Sequence, residues 1–227
     1  MDLLLLRHAQ PLWSDDGVSR ADPGLTDLGR RQADAAAARL GDTRFDEVLV
    51  STARRAVETA APIRERLDRR TRVRSAPWLH EIRTDPSWEG TPSQEVDRVF
   101  ARSRDRSRDA WWDGWPGGES FRDFHRRVVT GLDDHLASHG IVRDEQGLWT
   151  VPDSAPQRIL AVAHAGTNSV VLGHLLGLDP EPWEWERFAS DHASIAWLRT
   201  TSIAGAAIFS LQRFSDVEHL SDDLITA

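Results

Sequence analysis

The chain contains no cysteine, which excludes disulfides, a thiolate nucleophile and a thiolate metal site. Lysine is missing as well: all 28 basic side chains are arginine, whose planar fork suits phosphate oxygens. Tyrosine is absent beside ten tryptophans, a balance that reads as core and cleft packing. No long hydrophobic run occurs. The leucines of "MDLLLLRHAQ" are broken by Arg7, too soon for a signal peptide or a membrane span, so a soluble, cytoplasmic protein is expected. Net positive charge is lacking too. At −8 the chain does not carry the basic field that general nucleic-acid or membrane-surface binding requires, and neither partner is expected.

What is present fits one α/β domain spanning residues 1–227, since 227 residues at 40% hydrophobic content can bury a sizeable core. "DLLLLRHA" reads as a buried strand, "LTDLGRRQADAAAARL" as a helix from Thr26 to Gly41, and "FDEVLVS" as a second strand. The helix "ARRAVETAAPIRERLDR" and the short strand "TRVRSAPWL" follow. Residues 80–118 form a less regular, lid-like insertion with a helix over "SQEVDRVFARSRDRSRDA" and the turn-rich "WWDGWPGGES". A helix from Phe121 to Ser138 and a surface excursion, "RDEQGLWTVPDSAPQ", come next. "RILAVAHAG" is the clearest buried strand; it leads into the helix "TNSVVLGHLLGL" and a late pair of strands, "SIAWLRT" and "AAIFSLQRF". The acidic tail after Phe214 is expected to be loose. Alternating strands and helices predict a three-layer α/β sandwich, a mostly parallel, doubly wound sheet with helices on both faces.

In such sheets ligands gather at the carboxyl ends of the strands. There this chain places Arg7-His8, then "STARRA", then "AHAGT": two arginines and two histidines delivered to one rim from three strand ends. The chemistry this suits is phosphoryl transfer, which needs positioning and charge stabilisation on the phosphoryl oxygens. A neutral imidazole can attack phosphorus, splitting the reaction into formation and hydrolysis of a phosphohistidine. Its second nitrogen needs an acceptor to fix the tautomer, and the leaving oxygen needs a proton from a nearby carboxylic acid.

These residues resemble the histidine phosphatases, the phosphoglycerate mutase-like superfamily. Arg7-His8-Ala9 stands where that family has Arg-His-Gly, and "DPGLTDLGRRQA" is similar to its Asp-x-x-Leu-Thr-x-x-Gly-x-x-Gln-Ala stretch. "STARRAVETA" matches Ser-x-x-x-Arg-Ala-x-x-Thr-Ala, and "LHEIRTDPSWEG" resembles the Leu-x-Glu and Trp-Glu-Gly segment that holds the acid; "PGGESF" and "AVAHAGT" match later motifs. The resemblance implies a phosphohistidine intermediate on His8, Glu81 as proton donor, and phosphate contacts from Arg7, Arg55 rather than Arg54, and His164. It implies no metal and no organic cofactor. Its substrate would be a small phosphorylated metabolite; oligomeric state is left open.

Three departures from the pattern matter. Ala9 replaces glycine, adding a methyl where the backbone passes the phosphate. Ser14 follows the matching Trp13 where an asparagine often contacts phosphate; it is kept among the phosphate-binding candidates, its shorter hydroxyl expected to reach through water or not at all. The acid loop is one residue longer than usual and carries Pro86, which keeps Glu89 open as an alternative to Glu81. The remaining histidines, His80, His125, His135, His139, His174, His192 and His219, show no ligand spacing with carboxylates and are read as structural. Family mutases usually carry a longer insertion after the acid, whereas "WEGTPSQEVDRVF" runs directly into a helix. Hydrolysis is therefore the leading expectation, with a mutase-type phosphotransferase and a non-catalytic phospho-ligand module as alternatives. Trp88, Trp111, Trp112 and Trp115 suggest an apolar cleft over the site.

Overall fold

Leu3 and Leu5 point to one side of a strand and Leu6 to the other, yet all three are almost fully buried, because the sheet is covered on both faces. A computed structural model describes residues 1–227. In chain order the elements are β1 (Asp2–Arg7), the small hairpin β2 (Ser14–Asp15) and β3 (Val18–Ser19), α1 (Asp27–Leu40), β4 (Glu47–Val50), α2 (Arg54–Arg64) and β5 (Arg72–Ser75). Then follow α3 (Ser93–Ser103), α4 (Arg108–Trp111), α5 (Phe121–Ala137), β6 (Val142–Arg143), β7 (Trp149–Thr150), β8 (Arg158–Ala163), α6 (Ala165–Leu175), α7 (Glu184–Arg187), β9 (Ile195–Ile203) and β10 (Ala206–Asp216).

Eight strands form one sheet in the order β5-β4-β8-β1-β9-β10-β7-β6. Its first four strands pair in parallel, with Leu3 opposite Ile159 and Val50 opposite Val162, and the late strands add antiparallel. Leu3, Leu5, Ile159 and Ala161 pack with Phe124 and Val128 of α5 and Val171 of α6. Leu6, Val48, Leu160 and Val162 pack on the other face, against Ala36 and Leu40 of α1 and Ala56 and Ile63 of α2. The α/β sandwich read from the periodicity is thus the architecture found. No helix is long and apolar enough to cross a membrane.

Local signals set the boundaries. Thr26 caps α1, its Oγ1 accepting the Gly29 N–H at 2.9 Å. A Cβ on Gly29 would stand 2.2 Å from the Gln10 carbonyl oxygen, so only glycine lets α1 lie against the chain leaving β1. The second helix is shorter than its sequence pattern: α2 stops at Arg64, just past Pro62, whose missing N–H weakens the ladder. The helix expected over residues 93–110 is broken after Ser103, and Ser107 caps the new start at α4.

Two expectations are corrected. The excursion after α5 carries β6 and β7, which extend the sheet, and it buries Trp149 edge-on against Phe209 with ring centroids 5.3 Å apart. The tail after Phe214 is not loose. Leu220 and Leu224 are buried with Ala9, Leu25, Ala33 and Ala193, and the Gln32 amide donates to the Leu224 carbonyl at 2.6 Å and the Thr226 hydroxyl at 2.9 Å. Apolar residues spaced through an acidic segment supply the anchor that net charge hides.

Candidate active site

Parallel pairing brings the carboxyl ends of β4, β8 and β1 side by side, and each delivers one part of the site. His8 follows β1 and is 4% exposed. Its Nδ1 donates to the carbonyl of Ala9 at 2.8 Å, so the lone pair is on Nε2, which takes no protein partner. Burial pushes the His8 pKa well below the ordinary histidine value, and the Arg55 and Arg7 charges push it further. The ring is neutral and its free nitrogen is nucleophilic. Ala9 does not crowd it: the methyl is buried in the apolar cluster with Leu25, Ala33 and Ala193, and the Ala9 N–H donates to Thr59 Oγ1 at 3.0 Å.

Of the adjacent arginines on α2, Arg54 is solvated and paired with Glu58 at 2.7 Å, whereas Arg55 is 3% exposed. Trp13 covers the Arg55 guanidinium, whose Cζ is 4.7 Å from the ring centroid. The one ion pair of Arg55, with Asp22, is long at 3.7 Å, and Asp22 is more than half exposed. Arg7 donates from Nη1 to the Ser190 carbonyl, and its Nη2 lies 3.1 Å from His192 Nε2. The Nε of each arginine is buried without a partner. Burial lowers both pKa values, the mark of cations held out of water without full compensation.

His164 follows β8 and occupies the N-cap position of α6. It is fully buried, its ring centroid 5.1 Å from that of His8. Ser51, after β4, lies 2.7 Å from its Nε2 and its hydroxyl oxygen also accepts from the Ala53 N–H. His164 Nδ1 is buried and unpartnered.

The acid loop places the two candidate carboxylates far apart in environment. Glu81 faces the cavity with Arg7 and Arg55; its Oε2 accepts the Gly166 N–H at 2.9 Å and its Oε1 the Ile82 N–H at 3.0 Å. A Cβ at position 166 would fall 2.5 Å from Glu81 Oε1, which explains the glycine of "AHAGT". Glu89 is exposed, accepting from the Ala21 N–H at 2.6 Å and pairing with Arg20 at 3.4 Å. Pro86–Trp88 form a short turn between the two carboxylates.

Ser14 is not brought to the site. Along the extended stretch entering β2, neighbouring side chains face opposite ways; Trp13 turns to Arg55, and Ser14 is exposed on the hairpin that closes at Asp16-Gly17. A cavity of about 820 Å³ opens above the arginines, lined by Trp13, Ile82, Phe100, Trp115 and Trp185 together with Arg83 and Arg104. Of the four tryptophans expected there, only Trp115 reaches it; Trp111 packs on Trp115 and Trp185, Trp88 on Phe100, and Trp112 on Phe121.

His192 was not legible as a site residue. It lies between Arg7 and the hydroxyl of Thr226, 3.0 Å from its Nδ1, with its ring 5.7 Å from His8. Burial, then the Arg7 charge, lower its pKa to about 3, so a neutral ring accepts from Arg7. No strand-end motif marks it; an "SDHAS" turn gives no such signal. At the opposite end of β4 the reading of His135 and His139 as ungrouped is also corrected: both converge on Glu47.

Comparison with known proteins agrees with this geometry. The family model of the histidine phosphatase superfamily (branch 1) matches residues 3–207. A 2,3-bisphosphoglycerate-dependent phosphoglycerate mutase of Bartonella henselae is 30% identical over 185 residues, covering 79% of this chain and 83% of that one. A glucosyl-3-phosphoglycerate phosphatase of Mycobacterium tuberculosis is 28% identical over 226 residues, covering 92% and 96%. The solved native structure of the mycobacterial glucosyl-3-phosphoglycerate phosphatase superposes with a TM-score of 0.66 at 27% identity, over 94% of this chain and 98% of that one.

Proposed function

The chain belongs to the histidine phosphatase superfamily, branch 1, and from that premise we propose that it is a phosphoric monoester hydrolase acting on a small phosphorylated metabolite through a phosphohistidine on His8. One observation carries the reading. Arg7 Nε and Arg55 Nε are buried donors without acceptors around the free Nε2 of His8, beside the buried, unpartnered Nδ1 of His164, and an unsatisfied buried donor costs about 1–3 kcal/mol. A phosphoryl group at His8 supplies the missing acceptors.

In the first step His8 Nε2 forms a bond to phosphorus while the ester P–O bond breaks, and Glu81 gives its proton to the leaving alcohol. In the second, Glu81 takes a proton from water, the water oxygen bonds to phosphorus, and the P–N bond breaks to return neutral His8 and inorganic phosphate. Arg7 and Arg55 stabilise the charge on the phosphoryl oxygens throughout, so the reading requires no metal. Water is favoured over a second hydroxyl as acceptor because the acid loop runs straight into α3 at Ser93, without the longer insertion after the acid that family mutases usually carry.

The test is a brief incubation with a labelled phosphate ester and a denaturing quench. The expected result is an acid-labile, base-stable phosphoprotein, with free phosphate accumulating even when an acceptor alcohol is supplied. Transfer to the alcohol in place of release would favour the mutase, and absence of both phosphoprotein and phosphate would leave only a binding module.

A further inference from the structure

We propose that Glu47, His135 and His139 form a binding site for a first-row transition-metal dication of the zinc type, at the end of β4 remote from His8. Glu47 opens β4 and is 2% exposed. His135 lies in the last turn of α5 and His139 just beyond it, a spacing that puts both imidazoles on one side. Both Nε2 atoms converge on a single oxygen: His135 lies 3.2 Å and His139 3.1 Å from Glu47 Oε2. Ligand atoms bound to tetrahedral zinc at about 2.0–2.2 Å stand roughly this far apart.

Hydrogen bonding accounts for the cluster only in part. His139 makes an aligned contact with Glu47, whereas His135 Nε2 is buried without an aligned one, and the second oxygen of Glu47 is held by the exposed Arg74 alone, at 2.7 Å. A buried imidazole nitrogen without an aligned hydrogen bond, beside a buried carboxylate oxygen shared by two imidazoles, is what a bound cation would satisfy. Two imidazoles and one carboxylate favour zinc, cobalt or nickel over magnesium and calcium, which seek oxygen ligands. A cavity of about 380 Å³ reaches Glu47 and His139, giving the ion a way in and a water for the remaining position. Arg74 competes for Glu47 only from an exposed side chain, at 59%. A bound ion would clamp the end of α5 to the start of β4.

The experiment uses the full, tag-free chain, stripped by a chelator and titrated with Zn2+ by calorimetry and with Co2+ by visible absorption. The expected result is one ion per chain, cobalt bands of a low-coordinate site, and a higher melting temperature with zinc. Glu47→Gln and His139→Ala should each weaken binding by about 100-fold or more, beyond the ~10–100-fold that changes outside the ligand set typically produce. No saturable binding to the wild-type chain, or unchanged affinity in both variants, overturns the site and leaves an ion-pair cluster; the wild-type titration decides even if a variant fails to fold.

Discussion

Arg127 and Glu119 form a two-pronged ion pair, Nε to Oε1 at 2.9 Å and Nη2 to Oε2 at 2.7 Å. The same guanidinium donates to the carbonyls of Trp78 at 3.0 Å and His80 at 2.9 Å, so α5 holds the backbone that carries Glu81.

Arg127 is therefore a positioning residue. Its replacement by methionine leaves the largely buried Glu119 without a counter-charge, held only by the Arg83 N–H at 3.2 Å, a loss on the order of 3 kcal/mol, read as a fall in the urea midpoint. At a temperature where the variant is still folded, turnover of alkyl phosphates should drop more than that of activated aryl phosphates, because a displaced Glu81 protonates poorly. Equal losses for both ester classes would show that Arg127 acts on stability alone.

Much of this was legible because the signals are local. "LLLLRH" places a nucleophile at a strand end whatever the rest does, and the spacing in "STARRA" separates a solvated Arg54 from a buried Arg55. Other features depend on atoms that meet only in the folded chain. Ser14 was misplaced because side-chain alternation past Trp13 is set by a hairpin. His192 reaches Arg7 from a turn far along the sequence. Glu47 and His139 meet because α5 packs across the sheet beside β4. The tail after Phe214 misled because net charge outweighed Leu220 and Leu224 in the reading, while burial of those two side chains decides the structure.

His8→Ala should abolish turnover with every ester and remove the phosphoprotein, since the covalent step has no substitute. Arg55→Ala retains the nucleophile but loses a buried cation beside it; kcat/KM should fall by about 3 kcal/mol of transition-state stabilisation, or roughly 100-fold, the scale of one oxyanion donor. Normal phosphate release by His8→Ala would rule out a phosphohistidine.

Stability should decline on the acid side through three buried histidines. His8, His164 and His192 all have folded pKa values below the ordinary one, chiefly from burial, with Arg55 adding to the first two and Arg7 to the third. The unfolded chain binds protons near its normal histidine pKa of about 6.5 that the native state refuses, so the native state loses ground as pH falls below that value. For His192 the loss continues down to about pH 3. Each such group contributes up to about 1.4 kcal/mol per pH unit. Urea midpoints should be flat above neutrality and fall steadily from about pH 6 to pH 4, less steeply in His192→Asn. A midpoint unchanged across that range would mean the imidazoles are not held neutral.

The identity of the acid separates on leaving-group dependence. Glu81 stands over the cavity with Arg7 and Arg55, fixed by the N–H groups of Gly166 and Ile82; Glu89 is exposed and engaged by Arg20 and the Ala21 N–H. Proton donation matters most when the leaving oxygen is a strong base, so Glu81→Gln should slow an alkyl phosphate by about 100-fold or more and an activated aryl phosphate far less. In that variant the phosphoprotein formed from the aryl ester should also persist longer, because the same carboxylate activates water in the second step. Glu89→Gln should leave both rates near wild type and only loosen the contact between the β2–β3 hairpin and the acid loop. A leaving-group dependence found in Glu89→Gln and missing from Glu81→Gln would move the acid to the Trp88-Glu89-Gly90 segment and require that loop to close over the site during turnover.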